Sequence, residues 1–382
     1  MMDRQPGPPY TRKPGDKSIP AEAGSERVLC LDAATGSNLW QFTYDCPYRI
    51  GYSSGPRVTP TISDGRVFTL GAMGDLLCLD ALNGKLVWQR QLLKDFGLKD
   101  PPTWGYAGHP LLDGPRLICL VGGSNSAVVA FDKDTGKQIW RALTVREIGY
   151  APPVIHEMDG RRELIIWTPD LLAGLDPETG MALWTQPYPV AGQAQRPEVS
   201  IATPIVKNNE IFVSSFYHGA TLIAVTNDAA GSQSARVVWN RHSSSSESLN
   251  DGLHTIMTTP VWQGDYIYGI CGMGELRCLD ARTGDRVWES DAAVGGTLGL
   301  FASAFLVPHD GDVFIWNDQG ELILGRLSPL GFEEISKDKL LDTKENTRGR
   351  DRLWCHPAFA NRCVYAQNGV ELICISLAAS SL

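Results

Sequence analysis

The sequence predicts an all-β fold built from one repeated unit, on three observations. First, a motif of Asp, then Gly four residues later, then Trp four residues after that occurs five times along the chain. Second, successive tryptophans of the unit lie about 44–55 residues apart, which is the period of a four-stranded propeller blade. Third, glycine and proline fall between short stretches of strand-like alternation. Together these features predict an eight-bladed β-propeller of four-stranded antiparallel blades.

The clearest copy of the unit, residues 275–288, indicates a strand, a tight turn and a second strand. Leu276 and Cys278 alternate with their neighbours, as in a pleated strand. Asp280 opens the turn by accepting backbone hydrogen bonds, and Gly284 supplies the positive φ that such a turn requires. The tryptophan that ends each unit is interpreted as a packing residue that docks one blade onto the next, with a ligand-stacking ring as the alternative. The repeated positions are Trp40, Trp88, Trp140, Trp184, Trp239 and Trp288, with Gly36, Gly84, Gly136, Gly180 and Gly284.

The order of strands along the chain predicts six full blades between two partial ones. Residues 1–25 are rich in proline, glycine and charge, so we expect disorder there and a propeller domain over 26–382. With strands labelled A, innermost, to D, outermost, the first blade shows C (28–32) and D (38–42), and the last shows A (356–359), B (362–367) and C (371–376). The other A strands are expected near 58–62, 109–112, 152–155, 202–206, 258–262 and 302–306, and their B strands near 66–70, 116–121, 163–167, 210–215, 265–270 and 312–317.

The strand count favours eight blades over seven. The pattern yields 29 strands where eight blades need 32, and the missing three are the last D strand and the first A and B strands. These are consecutive around a closed ring, which indicates an eight-bladed ring with an incomplete N-terminal blade. In the seven-bladed alternative, the C-terminal A and B strands pair with the N-terminal C and D strands.

Composition excludes several classes of protein. The formal net charge of −9 argues against general nucleic-acid binding. The sequence contains no run of about eighteen apolar residues, so no membrane span is predicted. The nine cysteines, which include no Cys-x-x-Cys pair, are interpreted as buried thiols repeated with the unit rather than as a zinc site. The N-terminus carries no apolar stretch after its basic residues, so it does not read as a signal peptide.

The motif Leu-x-x-Leu-Asp-x-x-Thr-Gly-x-x-x-Trp resembles the pyrroloquinoline quinone (PQQ) repeat from Val28 to Leu377. Two groups share this repeat: the quinoprotein dehydrogenases, and cofactor-free relatives that include a lipoprotein of the outer-membrane β-barrel assembly machinery. The stretch 65–80 also resembles PQQ-like repeat proteins of uncharacterised function from planctomycete-type bacteria. The resemblance implies an eight-bladed propeller. Its relatives are mostly exported to the periplasm, but this chain shows no signal peptide, so the sequence leaves the compartment open.

Candidate contact residues lie on the long D–A loops, which share one face of the predicted propeller. Tyr48, Tyr52, Trp104, Tyr106 and Tyr150 are candidate exposed contacts, although packing of the loops onto neighbouring blades is the favoured interpretation of these aromatics. His109 and His356 are predicted to start A strands at the mouth of the central channel, and His254 lies in a connector to the same rim. Solvated or locally bonded side chains are the favoured interpretation of these histidines, and metal binding is the alternative. No catalytic residue and no metal site is predicted.

The pattern favours a non-catalytic scaffold that binds a protein or polymer partner through the long-loop rim and the channel mouth. The alternative is a PQQ- and calcium-dependent quinoprotein dehydrogenase acting on alcohols or sugars. The resemblance implies that such enzymes often sandwich the quinone between a Trp and an adjacent-cysteine disulfide, and this chain has no adjacent cysteines. We therefore expect no cofactor, no nucleic acid and no membrane span, and the sequence leaves the oligomeric state open.

Overall fold

The structure, a computed structural model, describes residues 1–7, 21–52, 55–193, 195–242, 252–343, 346–347 and 350–378. The fold is the predicted all-β, eight-bladed β-propeller of antiparallel sheets, with almost no helix. The chain divides into two compact units, Met1–Tyr188 and Pro189–Leu382. Among the described residues, each unit contains four blade sheets, of which one has three strands and three have four.

The first unit contains the sheets β1–β2–β3, β4–β7, β8–β11 and β12–β15. Its strands are β1 (Met2–Pro6), β2 (Gly24–Leu31), β3 (Asn38–Asp45), β4 (Thr61–Ser63), β5 (Arg66–Leu70), β6 (Asp75–Asp80), β7 (Leu86–Gln91), β8 (Leu111–Asp113), β9 (Arg116–Leu120), β10 (Val128–Asp132), β11 (Gln138–Ala142), β12 (Val154–Met158), β13 (Arg161–Trp167), β14 (Leu171–Leu175) and β15 (Ala182–Pro187). A single-turn helix, α1 (Leu92–Asp95), follows β7.

The second unit contains the sheets β16–β19, β20–β23, β24–β27 and β30–β31–β32, with a two-stranded hairpin between the last two. Its strands are β16 (Ile205–Lys207), β17 (Glu210–Ser215), β18 (Gly219–Asn227), β19 (Gln233–Arg241), β20 (Val261–Gln263), β21 (Tyr266–Ile270), β22 (Leu276–Asp280), β23 (Arg286–Ser290), β24 (Ala304–His309), β25 (Asp312–Asn317), β26 (Glu321–Ser328), β27 (Gly331–Lys339), β28 (Asn346–Thr347), β29 (Arg350–Asp351), β30 (Ala358–Ala360), β31 (Cys363–Gln367) and β32 (Leu372–Ser376). A 3-10 turn spans Ala292–Val294.

The predicted disorder of residues 1–25 is wrong for Met2–Pro6. This segment is strand β1, which pairs antiparallel with β2 and supplies the B strand that the sequence pattern lacks. The Met1 ammonium donates to the Leu29 carbonyl at 2.9 Å. Local composition hid the strand, because its stability comes from the free edge of β2 and not from its own propensity. Residues 8–20 of the predicted disordered segment lie outside the described residues.

The C-terminal strands form a sheet of their own, which excludes the seven-bladed alternative. The topology consists of eight sheets. In the described part of the chain, the first of them lacks strand A and the last lacks strand D. The sequence pattern therefore predicts the correct number of blades, although it misses one strand, β1.

The second and third strands of each full blade are buried on both faces. In β5 and β6, for example, Phe68, Leu70, Leu76 and Cys78 have no exposed surface. Strands covered on both faces carry continuous apolar runs, whereas outer strands such as β7 alternate between exposed and buried residues. The hydrophobic core of the first unit therefore lies between successive sheets, where these central strands face one another.

A β-bulge in the outer strand aims the repeat tryptophan in each blade that carries one. In the second sheet, Cys78 pairs with Trp88 but Leu79 pairs with Leu86, so Val87 is the extra residue. The register shifts at the equivalent point in the other sheets that have a third and a fourth strand. A bulge bends its strand and redirects the side chains beside it. Val87 is thereby turned outward and the indole of Trp88 inward, which the sequence alone did not indicate.

Five of the six repeat tryptophans dock onto the C–D turn of the following blade, as predicted. Each donates its indole N–H to a backbone carbonyl there, at 2.9–3.2 Å. The pairs are Trp40 with Ala81, Trp88 with Lys133, Trp140 with Pro177, Trp239 with Ala281 and Trp288 with Ser328. The tryptophans are therefore packing residues, and they do not form a ligand-stacking ring.

The repeat glycines provide the flat surface on which these indoles lie. A Cβ atom at Gly84, Gly136 or Gly180 would come within 2.5–2.7 Å of the indole of Trp40, Trp88 or Trp140, respectively. The same glycines have positive φ angles, so the motif requires glycine for two separate reasons. Gly284 receives Trp239 in the same way. Gly36 differs, because a Cβ atom added there would have no atom within 4 Å.

Trp184 departs from the docking pattern. Its indole N–H donates to the Glu163 carboxylate at 2.7 Å, within its own sheet. Gly174 of β14 makes room for this ring, because a Cβ there would lie 2.2 Å from the indole nitrogen. The tryptophan is as buried as its counterparts, but a buried glutamate replaces the turn carbonyl as its acceptor.

The repeat aspartates cap their turns, as the sequence predicts. Asp132 accepts hydrogen bonds from the Thr135 hydroxyl at 2.7 Å and from the Thr135 N–H at 2.8 Å. Asp32 is bonded to Thr35 in the same way. The hydroxyl of the threonine, followed by the backbone N–H groups, holds the pKa of each carboxyl below its ordinary value.

These caps predict an acid-sensitive contribution to stability. Since the pKa of Asp132 is lower in the folded than in the unfolded chain, its contribution is present above about pH 4 and is lost as pH falls through the folded pKa. We expect Asp132→Asn to lower the urea midpoint at pH 7 and to flatten its fall between about pH 5 and pH 2. Asp134→Asn, on the same turn, is the control. An unchanged pH profile for Asp132→Asn would contradict the capping role.

Candidate functional site

Three successive D–A loops of the first unit bring three aromatic side chains together. The ring centroids of Tyr52 and Trp104 are 6.5 Å apart, and those of Trp104 and Tyr150 are 5.1 Å apart. We call Tyr52, Trp104 and Tyr150 the aromatic row. Tyr52 and part of Trp104 are exposed, whereas Tyr150 is buried beneath them. Aromatic pairs at these distances stabilise each other beyond the area they bury.

Backbone contacts fix the row in place. The Trp104 N–H donates to the Tyr150 hydroxyl at 3.3 Å, and burial raises the pKa of Tyr150, so the phenol stays neutral. Arg57 donates to the Gly51 carbonyl at 2.9 Å. Gly51 lies flat on the indole edge, where an added Cβ would be 3.4 Å from Trp104 Cδ1. Tyr52 has a φ of 64°, a left-handed conformation that non-glycine residues adopt mostly where the surroundings impose it.

A groove opens beside Tyr52. Its volume is about 650 Å³, and it is lined by Arg4, Pro6, Glu22, Arg49, Ile50, Gly51 and Tyr52. We call it the cationic groove, because it carries two guanidinium groups against one carboxylate on a chain whose net charge is −9. Arg49 Nε lies 3.8 Å from Glu22 Oε1, and both side chains are about half exposed. An exposed pair of this kind is weak, so Arg49 can exchange Glu22 for another carboxylate.

Arg4 anchors strand β1 to the same loop. One of its terminal nitrogens donates to the carbonyl of Glu22 at 3.0 Å and to that of Tyr48 at 3.3 Å. The guanidinium lies 4.6 Å from the centroid of the Tyr48 ring, which adds a cation–π contact. The N-terminal strand thus forms one wall of the groove.

A buried carboxylate supports the loop from below. Glu26 of β2 has no exposed surface and accepts hydrogen bonds from the hydroxyls of Tyr44 and Tyr48, the latter at 2.7 Å. The Ala72 N–H, in the next sheet, donates to it at 3.2 Å. Burial and the Glu26 charge raise the pKa of both phenols, so they remain donors. Glu26 therefore ties the first two sheets and the groove loop together.

Not every predicted loop aromatic is exposed. Tyr48, Tyr106 and Tyr150 are buried, and Tyr106 donates to the Val121 carbonyl at 2.9 Å. These three are therefore not exposed contacts, and the favoured packing interpretation applies to them, because their rings fill space between the loops and the ends of the blades. Tyr52 and Trp104 are the members of the predicted set that reach the surface.

The three histidines serve local structure. His254 is fully buried, and its Nδ1 lies 2.8 Å from the Phe216 carbonyl, so its prediction as a rim contact is wrong. His109 Nδ1 accepts from the Thr59 N–H at 2.9 Å, as the Thr259 hydroxyl accepts from the Thr203 N–H at 3.1 Å. The imidazole of His109 therefore replaces a hydroxyl at a blade-to-blade contact.

His356 is exposed, with Nδ1 2.6 Å from the Pro357 carbonyl and its ring 4.8 Å from that of Phe305. Both His109 and His356 precede their A strands by two residues rather than starting them. Within the described part of the chain, no three His, Cys, Asp or Glu side chains come close enough to hold a metal ion. The described residues also include no helix of the length and apolarity needed to cross a membrane.

Sequence reasoning missed Arg4, Arg49 and Glu26. Arg4 lies in a segment whose composition suggested disorder. Glu26 carries a detectable signal, since it is an acid immediately before the apolar run of a C strand. The groove itself depends on how the loop after β3 folds over β1, which no local pattern encodes.

Comparison with known proteins places the chain among propellers of this repeat. The family model described as outer membrane protein assembly factor BamB matches residues 24–290, more than half of the chain. The outer membrane protein assembly factor BamB of Moranella endobia (strain PCIT) is 24% identical over 259 residues, which are 64% of this chain and 61% of that protein. The crystal structure of BamB from Moraxella catarrhalis covers 97% of this chain and 92% of its own at 16% identity, with a TM-score of 0.60, which shows a shared fold.

A second group of relatives matches a shorter stretch. The dehydrogenase subunit of an alcohol dehydrogenase (quinone) from Gluconobacter oxydans (strain 621H) is 32% identical over 130 residues, 31% of this chain but 17% of the enzyme. The chain thus spans less than two thirds of the length of these curated relatives. From the extent of the family match and the repeat that carries it, the chain belongs to the family of the outer membrane protein assembly factor BamB, a family of PQQ-like repeat propellers.

Proposed function

We propose that the protein is a non-catalytic binding scaffold for outer membrane protein assembly, which holds an extended acidic segment of a polypeptide partner. The aromatic row and the cationic groove form the binding surface. The observation that carries this proposal is the convergence of three successive loops on Tyr52 and Trp104, beside Arg49. A role in outer membrane protein assembly requires export of the protein, in line with the names of its relatives.

The chemistry of the surface favours a polypeptide partner. Partly exposed Tyr and Trp rings bury apolar area at low entropic cost, and they are enriched where proteins bind proteins. An arginine that is only weakly paired can form a bidentate contact with a carboxylate of the partner. The neighbouring ring of Trp104, 6.5 Å away, restricts the Tyr52 ring before the partner arrives, which reduces the ordering cost of binding.

The chemistry of the described residues favours the scaffold over a site for a quinone cofactor and calcium. Calcium needs several converging oxygen ligands, and the described residues present no cluster of acidic side chains of that kind. The repeat tryptophans are occupied with blade docking. We infer that the short match to quinone-dependent alcohol dehydrogenases reflects the shared repeat.

Site-specific crosslinking tests the proposed surface. We expect a photoreactive phenylalanine analogue at Tyr52 to crosslink one discrete polypeptide in cells of the source organism. The same analogue at Met181, an exposed residue on a C–D turn, is the position control. Arg49→Glu should reduce the yield at least severalfold, and Arg282→Glu, a charge change at an exposed turn, should leave it unchanged.

Two outcomes would contradict the proposal. One is crosslinking that is equal from Tyr52 and Met181 or indifferent to Arg49→Glu, since specific binding must depend on position and charge. The other is a saturable rise in melting temperature with PQQ and calcium, accompanied by dye reduction with an alcohol or sugar substrate, which would favour the dehydrogenase.

A further inference from the structure

The cationic groove holds one carboxylate, and the backbone beneath that carboxylate is fixed. Among the described residues that line the groove, Glu22 is the one acid. Its backbone carbonyl accepts hydrogen bonds from the Arg4 guanidinium and from the Tyr48 N–H, both at 3.0 Å. The next carbonyl, that of Ala23, accepts from the Gly7 N–H at 2.8 Å. Glu22 is therefore anchored between strand β1 and the loop that follows β3.

The side chain of Glu22, by contrast, is held weakly. Its Oε1 lies 3.8 Å from Arg49 Nε, which is beyond hydrogen-bonding distance, and the side chain is 45% exposed. A nearby pair shows what a firm contact is like in this part of the fold: Arg27 Nε donates to Asp3 at 2.8 Å, and both side chains are mostly buried. The Glu22 carboxylate can therefore release Arg49 while its own backbone stays in place.

Arg49 is the charge of the groove that can respond to a partner. The other guanidinium, that of Arg4, already donates to the carbonyls of Glu22, Ala23 and Tyr48. A carboxylate of the partner can form with Arg49 the two parallel hydrogen bonds that Glu22, at 3.8 Å, does not form. The partner's carboxylate then takes the place of Glu22, and Glu22 loses its counter-charge.

The displaced Glu22 acts on the partner in turn. Because its backbone is fixed, its negative charge stays close to the carboxylate that has replaced it. Like charges brought together in this way repel, which disfavours a segment with several acidic residues in a row. A basic residue beside the partner's carboxylate removes the repulsion, since it can pair with Glu22. Binding is then an exchange of ion pairs in which every charge has a counter-charge.

We propose that Glu22 is a specificity-determining residue of the cationic groove, which selects segments in which an acidic residue adjoins a basic one. This inference rests on the proposed function, because it takes the groove to be a polypeptide-binding site. It narrows the partner from acidic segments in general to segments of paired charge. All of the contacts that carry it lie within the first unit.

Three fluorescein-labelled peptides test the selection: four repeats of Glu-Glu-Pro, of Glu-Lys-Pro and of Gln-Gln-Pro. Proline keeps the peptides extended and offers an apolar ring to the aromatic row. Dissociation constants come from fluorescence polarisation, and the selectivity is the Glu-Glu-Pro constant divided by the Glu-Lys-Pro constant. We expect the unmodified protein to bind Glu-Lys-Pro tightest of the three. Glu22→Gln should lower the selectivity about two- to fivefold, which is the range that an exposed ion pair supplies.

Glu178→Gln is the matched control. It removes the same charge from another exposed position of the first unit, where Glu178 lies 3.7 Å from Arg116. It should leave the selectivity unchanged, although it changes the net charge by the same amount. Arg49→Gln should weaken the binding of Glu-Lys-Pro at least about threefold, because the partner's carboxylate loses its contact. The melting temperatures of the three variants should match that of the unmodified protein, since exposed charges contribute little to stability.

Each failure has a distinct meaning. A selectivity that Glu22→Gln leaves unchanged, or that Glu178→Gln lowers equally, would overturn the inference. If Arg49→Gln still weakens Glu-Lys-Pro in that case, the proposed function stands and the selection alone fails. Binding that is indifferent to Arg49→Gln would contradict the proposed function and the inference with it. Absence of saturable binding by both glutamate peptides would also overturn the inference, and crosslinking from Tyr52 would then decide the proposed function.

Discussion

Replacing Gly136 by alanine should destabilise the first unit by about 2–5 kcal/mol, whereas the same replacement at Gly36 should cost about 1–2 kcal/mol. Both glycines have a φ near 70°, so both variants incur the cost of a left-handed alanine. At Gly136 the new Cβ would also lie 2.7 Å from the Trp88 indole, whereas at Gly36 it would meet no atom within 4 Å. The difference between the two variants isolates the contact between glycine and indole.

Urea unfolding followed by tryptophan fluorescence measures both variants. Gly84→Ala and Gly180→Ala should resemble Gly136→Ala, because a Cβ at those positions would also overlap an indole, that of Trp40 or Trp140. Equal losses at Gly36 and Gly136 would mean that the glycines serve the turn conformation alone. The docking interpretation of the repeat would then have to be abandoned.

Glu26→Ala is expected to have the next largest effect, a loss of about 3–5 kcal/mol. The change leaves the buried hydroxyls of Tyr44 and Tyr48 and the Ala72 N–H without their acceptor, and it opens a cavity. An unsatisfied buried donor costs about 1–3 kcal/mol. Because Glu26 also holds the loop that lines the cationic groove, crosslinking from Tyr52 should fall in parallel with stability.

Two milder variants separate the charge of Glu26 from its hydrogen bonds. Glu26→Gln keeps the shape and one acceptor oxygen, and we expect it to cost less than the alanine variant. Tyr48→Phe removes one hydroxyl, and we expect it to cost about 1–3 kcal/mol. The more hydrogen bonds a variant loses, the lower its urea midpoint should be. A near-neutral Glu26→Ala would show that the cluster does not hold the loop.

The repeat explains why so much of the fold was predictable from sequence. Asp280, Gly284 and Trp288 recur at fixed spacing because each solves a local problem: an acceptor for turn N–H groups, a left-handed backbone, and a docking ring. The buried central strands show the same regularity, since each is covered on both faces. Local chemistry repeated at one period therefore fixes the architecture, and the number of blades follows from the count of repeats.

The candidate site was less predictable, because it arises from contacts between loops of unrelated sequence. Trp104 and Tyr150 are 46 residues apart, and they meet because successive blades carry their D–A loops on one face. Strand β1 escaped prediction because its pairing with β2 comes from a partner edge rather than from its own pattern. Trp184 broke the docking rule for a similar reason, since a buried glutamate in its own sheet provides an alternative acceptor.

The central claim is that an indole of one blade seated on a glycine of the next holds successive blades together. A double-mutant cycle of Trp88→Ala and Gly136→Ala, measured by urea unfolding, tests it most directly. The account predicts that Gly136→Ala costs at least about 1 kcal/mol less once the indole is gone, because the overlap has been removed. The same cycle with Gly36→Ala should be additive. Additivity for Trp88 and Gly136, within about 0.5 kcal/mol, would contradict the claim.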